Sequence, residues 1–393
     1  MFRIYLLLFL SVLLHGAQIP WQIADLKKTP QSWNAPTAEP GVKAVWIAGP
    51  PYKGTPTRAF VYYGLPAGTK APGMVLIHGG GGTAFAEWVR MWNREGFAAI
   101  AVDTVGTWPD KADADPWNPT RKRHEFAGPA GWGDFANVDA PVADQWTYHA
   151  VAVSVLAHSF LRAQPGVDAG RIGVTGISWG GYLTSIVASV DDRFRFGIPV
   201  YGCGFLSEDS GWLKDFEKLG PERARSWTRM WDPSSYLALA RRPMFWVNGT
   251  NDFAYVMTSW QKSYRLPRTE RLLSLQVRMK HSHPDGAKPA EIFAYAKWKL
   301  LGGPPLLAIQ KHGTSGDEVW ATWKRAARPV RAELCYTRDQ GRWQDRTWQT
   351  IPANIDFEKR RVQAAIPQGS RVYYLNLIDD RGLIVSTEHG IHN

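Results

Sequence analysis

The sequence is poor in cysteine, and past its first 20 residues it has no long apolar run, no single-sign charge tract and no repeated or low-complexity segment. Each absence excludes something. Cys203 and Cys335 do not make a disulfide framework and belong to no zinc-like cluster, so both are expected as free buried thiols. Without about 20 consecutive apolar residues there is no membrane-spanning helix. The formal net charge is +11, but its basic residues are scattered over 121–123, 223–229, 241–242 and 265–280. They accompany no nucleic-acid motif, so they read as a solvated basic surface and not as a nucleic-acid site.

What is present is a chain of 393 residues with 45% hydrophobic content, enough for one large domain and a smaller one. Arg3, an apolar run over 4–14 and the small residues Gly16 and Ala17 have the pattern of a leader over 1–17. A run of about 11 residues is too short to span a bilayer. The expectation is an exported protein, secreted or periplasmic, with no membrane anchor. Twenty tryptophans are many for this length, and they can serve a core or a substrate cleft equally well.

Residues 18–40 are proline-rich and read as an extended lead-in, and 42–48 and 57–63 alternate as two strands. From Gly73 the rhythm changes. Apolar runs at 74–77, 98–102, 171–177, 196–201, 244–247 and 272–279 alternate with helical patterns at 85–94, 145–162, 180–189, 257–266 and 289–300. Continuous apolar strands between helices predict a mostly parallel sheet covered on both faces. Insertions at 104–143 and 205–235 follow strand ends where such sheets bind ligands. They supply Trp108, His124, Trp132 and Trp212 as candidate cleft residues. At Gly302 the helical pattern stops, and 306–393 reads as an all-β sandwich of immunoglobulin or fibronectin type.

The chemistry-bearing stretch is Gly176-Ile177-Ser178-Trp179-Gly180. A serine pinched between strand and helix, with glycine two residues to either side, predicts a strained turn that lifts Oγ off the sheet. The amide of Trp179 then faces a developing oxyanion. His78 is followed by Gly79, Gly80, Gly81 and Gly82, and amides of 79–81 are candidates for the second half of that oxyanion site. The lysine with serine or threonine that a phosphate loop needs is missing. Asp252, after the strand at 244–247 and a glycine turn, is the candidate acid. The base must come from Lys280-His281-Ser282-His283-Pro284, where spacing alone cannot separate the two histidines. His283, further out on the loop, is taken first and His281 second.

With these residues assembled, residues 40–300 resemble the α/β-hydrolase superfamily, in its prolyl oligopeptidase and acetylxylan esterase-like branch. The stretch 167–182 and the Asn248-Gly249-Thr250-Asn251-Asp252 turn carry the resemblance, and the histidine loop departs from it. The resemblance implies an α/β-hydrolase domain over 18–302 and a triad of Ser178, Asp252 and His283, with no metal and no cofactor. It also implies an acylated substrate, a small ester or an acetylated polysaccharide. A serine exopeptidase and a non-catalytic polysaccharide-binding protein are the alternatives.

Overall fold

The computed structural model describes residues 19–36, 39–68, 70–109 and 115–392. The expected leader over 1–17 lies outside the described residues. The chain enters through a short helix α1 (Ile23–Leu26) and strand β1 (Ser32–Asn34), followed by β2 (Lys43–Tyr52), β3 (Thr55–Gly64), β4 (Ala71–Ile77), helix α2 (Ala86–Arg94) and β5 (Ala98–Val102). A two-stranded excursion, β6 (Thr107–Pro109) and β7 (Arg121–Arg123), precedes α3 (Trp146–Arg162), β8 (Val167–Ile177), α4 (Trp179–Val190) and β9 (Gly197–Val200). Helices α5 (Leu213–Leu219) and α6 (Pro221–Trp231) lead to β10 (Met244–Gly249), α7 (Met257–Arg265), β11 (Arg271–Gln276), α8 (His283–Ala287) and α9 (Ala290–Leu301).

Nine strands form one sheet in the order β1-β2-β3-β5-β4-β8-β9-β10-β11. From β5 to β11 every neighbour is parallel, while β1, β2 and β3 add an antiparallel edge. The lead-in is therefore not simply extended: Ser32–Asn34 pairs with 45–47 of β2 and lengthens the sheet. β4 shows why the central strands are apolar throughout. Met74 and Leu76 face the layer holding Trp88 and Trp92 of α2 and Tyr295 of α9, whereas Val75 and Ile77 face the layer of α3 and α4. Alternate side chains point to opposite faces, so a sheet covered on both sides needs apolar residues at every position. Likewise α3 is buried almost all round, because it packs against the sheet, α1 and α4 together.

Gly302, at φ 71, closes α9 as a left-handed cap. Beyond it lie β12 (Ile309–Ser315), β13 (Glu318–Trp323), β14 (Arg331–Thr337), β15 (Gln349–Pro352), β16 (Asn354–Asp356), β17 (Arg361–Ala365), β18 (Val372–Ile378), β19 (Ile384–Ser386) and β20 (Gly390–Ile391). They build two antiparallel sheets, β12-β13-β17-β16 and β15-β14-β18-β19, with β20 beside β18. Val319, Ala321 and Val362 of one and Leu334, Leu375 and Leu377 of the other share one apolar cluster. This module docks along β11, where the Leu275 amide donates to Ser386 Oγ at 2.8 Å and the Tyr374 hydroxyl donates to the Leu275 carbonyl at 3.1 Å. Cys203 and Cys335 are buried and free. No helix among the described residues is long and apolar enough to cross a membrane.

Candidate active site

Ser178 stands between the last residue of β8 and the first of α4 with φ 59 and ψ −121, a conformation that residues with side chains rarely adopt. The surrounding glycines make it possible. A Cβ on Gly176 would stand 2.1 Å from the Gly180 carbonyl oxygen, and one on Gly180 would stand 1.9 Å from that of Ile77. Both obstacles are backbone and cannot step aside. The Ser178 amide donates to the Val200 carbonyl at 3.0 Å and its carbonyl accepts from Tyr182 at 2.9 Å, so the turn is held from both ends.

The partner of Ser178 is His281. Its Nε2 lies 2.8 Å from Ser178 Oγ, and its Nδ1 lies 2.6 Å from Asp252 Oδ2. An Nδ1–H donated to the carboxylate leaves Nε2 as the acceptor for the serine hydroxyl. Asp252 is 2% exposed, and its other oxygen accepts the amides of Ala254 at 2.9 Å and Tyr255 at 2.7 Å. Tyr201 stacks on the His281 ring at 4.4 Å, and Phe253 leans on it at 4.9 Å.

His283, the first choice of the sequence reading, does not reach Ser178. Its Nε2 accepts the Gly79 amide at 3.0 Å, and its ring packs on Phe85 at 4.8 Å. The reason is local. Ser282 Oγ accepts the Asp285 amide at 3.1 Å and donates to the Asp285 carboxylate at 2.6 Å, capping α8, and Pro284 sits in its first turn. The chain therefore turns into a helix at 283 and carries that ring over the glycine loop. An Nε2 that accepts an amide must be unprotonated, and burial pushes the ring's pKa down to about 3. The Ser282-x-x-Asp285 capping box with an early proline was a readable signal that His281 is the last residue of the loop.

The same contact removes Gly79 from the oxyanion candidates. His78 braces this loop, its Nδ1 donating to the Gly79 carbonyl at 2.7 Å while its Nε2 accepts the Thr104 amide at 3.0 Å. The amide of Trp179 belongs to the first residue of α4, where no intrahelical partner exists. Gly80 lies beside it: a Cβ there would be 3.0 Å from Trp179 Cδ1 and 3.3 Å from Trp132 Cε2. Gly80 and Trp179 are thus the oxyanion candidates that the structure brings side by side. Gly81, at φ 73, makes the turn, and its α-carbon faces open space.

The insertions divide. Trp132 is 44% exposed and reaches the oxyanion loop from a turn whose flanking Gly131 and Gly133 have φ 85 and 86. Trp212 packs on Trp179 at 4.6 Å and Tyr255 at 4.9 Å. Trp108 and His124 are elsewhere: both lie against Trp46, at 6.0 and 4.6 Å, in a small aromatic core over the sheet edge. Tyr201 and Phe253 were missed by sequence reasoning, although each directly follows a strand end or the candidate acid.

Residues 142–297 match the prolyl oligopeptidase family, a span that contains Ser178, Asp252 and His281. No curated protein matches the chain. Among solved structures, an acetyl xylan esterase from Paenibacillus sp. R4 is similar at 17% identity and a TM-score of 0.55, over 71% of this chain and 92% of that one. Acetyl xylan esterase 1 from Thermoanaerobacterium sp. JW/SL YS485 is similar at 14% identity and a TM-score of 0.52, over 73% and 95%. The chain thus has the α/β-hydrolase fold, and its residues 142–297 are similar to the prolyl oligopeptidase family.

Proposed function

We propose that this protein is an exported serine esterase, secreted or periplasmic, that removes short acyl groups, acetyl foremost, from an acylated polysaccharide or a small ester. One observation carries the reading: the unbroken chain Ser178 Oγ–His281 Nε2 at 2.8 Å and His281 Nδ1–Asp252 Oδ2 at 2.6 Å. His281 takes the serine proton as Oγ attacks the acyl carbonyl, and Asp252 stabilises the imidazolium that forms. The amides of Gly80 and Trp179 receive the negative oxygen. The tetrahedral intermediate collapses as His281 returns the proton to the departing alcohol. Water, activated by the same imidazole, then releases the acid from Ser178. The likeness to acetyl xylan esterases supports an acetyl ester as substrate, and the exposed Trp132 ring beside the oxyanion loop supports a sugar chain lying across the mouth.

The match to the prolyl oligopeptidase family favours a second reading, a serine exopeptidase. Substrate ranking separates them. The esterase reading predicts fast cleavage of 4-nitrophenyl acetate, poor cleavage of aminoacyl anilides, and loss of the former in Ser178→Ala. The reverse ranking would establish the peptidase.

A further inference from the structure

The turn that carries Asp252 is tied down on both sides. On the sheet side, Asn248 Nδ2 donates to the Tyr255 carbonyl at 2.9 Å, the Thr250 amide to Gln276 at 3.0 Å, and the Gly211 amide to Ala254 at 3.0 Å. On the other side, the grip comes from the C-terminal module. Asn251 Nδ2 faces three backbone carbonyls of one loop, those of Trp343 at 3.3 Å, Gln344 at 3.2 Å and Arg346 at 2.7 Å. Thr250 Oγ1 donates to Asn251 Oδ1 at 2.8 Å, which fixes the amide with its NH2 toward the module.

That loop has a second hold. The indole of Trp343, buried at 6% exposure, donates to Asp209 Oδ2 at 3.4 Å, and the Thr258 hydroxyl donates to the same oxygen. Arg346 lies over the Trp343 ring at 3.7 Å and stiffens the loop. Further back, Gln261 donates to the His389 carbonyl at 2.8 Å, and Glu388 pairs with Arg265 and Arg271. The module is therefore anchored along β11 and α7, and its 342–346 loop reaches one residue short of Asp252.

We infer that the C-terminal β module is a working part of the active site: through its 342–346 loop it holds Asn251, and Asn251 is a positioning residue that sets the Asp252 carboxylate against His281. This rests on the serine-hydrolase reading above. A carboxylate only one residue removed from a three-carbonyl clasp cannot shift without breaking it. Releasing the clasp lets the turn drift, and a drift of about an ångström at a catalytic group can lower turnover by as much as a hundredfold.

The test uses the full chain and 4-nitrophenyl acetate, with Ser178→Ala as the zero. Asn251→Ala should lower kcat by about tenfold or more while KM stays within about twofold, because the acid, not the substrate contacts, is disturbed. Trp343→Phe removes the indole N–H and shortens the buried ring system while leaving the Asn251 clasp in place, and should cause a smaller loss of the same kind. The double variant should lose less than the product of the two, because both bonds hold one loop. Hydrogen exchange at the Ala254 and Tyr255 amides, which Asp252 accepts, should quicken about tenfold in Asn251→Ala, and this readout does not depend on activity. If Asn251→Ala fails to fold, Trp343→Phe carries the same comparison. Unchanged kcat with unchanged exchange would overturn the inference. Faster exchange in Asn251→Ala than in a parent chain that shows no Ser178-dependent ester cleavage would uphold the hold on the Asp252 turn and sink the hydrolase reading instead.

Discussion

His281 and His283 are separated by one residue, yet their Nε2 atoms serve different partners, Ser178 Oγ at 2.8 Å and the Gly79 amide at 3.0 Å. One ring is presented to the nucleophile and the other props the loop that faces it. The pair thus joins three segments, the elbow, the glycine loop and the acid turn, at the carboxyl edge of the sheet.

Asp252→Asn keeps an oxygen for the amides of Ala254 and Tyr255, so the turn should survive. What is lost is the negative charge behind His281, and the amide favours the wrong tautomer of the ring. By the behaviour of Ser-His-Asp sites, kcat for 4-nitrophenyl acetate should fall by roughly 10⁴-fold. Steady-state kinetics with a matched thermal melt distinguishes this from unfolding.

The elbow should tolerate nothing larger than glycine at 180. Gly180→Ala places a methyl group 1.9 Å from the Ile77 carbonyl oxygen, so β4 or α4 must move. The expected cost is above about 4 kcal/mol, read as loss of soluble expression or a large fall in the urea midpoint. By contrast, a Cβ on Gly220 meets open space and is strained only by the backbone, φ 74 and ψ 165, a region almost confined to glycine, so Gly220→Ala should cost about 1–3 kcal/mol.

Acid should unfold this protein through its buried histidines. Burial holds His283 and His389 down to about 3 and His158 to about 4. Each stays neutral in the folded chain but takes a proton near its ordinary value of 6.5 once unfolded. The unfolded state therefore binds more protons between pH 6.5 and about 4, and stability falls as pH falls through that window, by up to about 1.4 kcal/mol per pH unit for each fully buried ring. Both nitrogens of His389 lack a partner among the described residues. His389→Leu should lose less stability between pH 7 and pH 4.5 than the parent in urea titrations, and an equal or greater loss would refute this account.

Trp132 provides the test of the polysaccharide reading. Its ring is exposed, and its removal leaves the Ser178–His281–Asp252 contacts untouched. Trp132→Ala should raise KM for acetylated xylo-oligosaccharides by about tenfold or more, the loss of one stacking face. KM for 4-nitrophenyl acetate should change little. Equal effects on both would remove the sugar from the argument.

The parallel sheet and the elbow were legible because steric rules leave few choices: apolar runs buried on both faces, and glycines wherever a Cβ would strike backbone. The antiparallel β1 was not, since three residues among prolines carry too little pattern. The choice between histidines was open because both rings lie within one loop, and the Ser282 cap that decides it acts through backbone direction, which spacing does not express. Trp108 and His124 looked like cleft residues by their place in a long insertion. Only the fold shows that Trp46, on the second strand from the sheet's antiparallel edge, is what they pack against. Asn251 read as part of a turn motif, and nothing before residue 340 announces the loop that grips it.

The most direct test of the central claim is the rate at which a fluorophosphonate labels Ser178, followed by intact mass and peptide mapping, in the parent, His281→Ala and His283→Ala chains. Labelling confined to Ser178, slowed by several orders of magnitude in His281→Ala and by less than about a hundredfold in His283→Ala, is the predicted result. Rapid labelling of Ser178 in His281→Ala, with the reaction lost in His283→Ala, would contradict it.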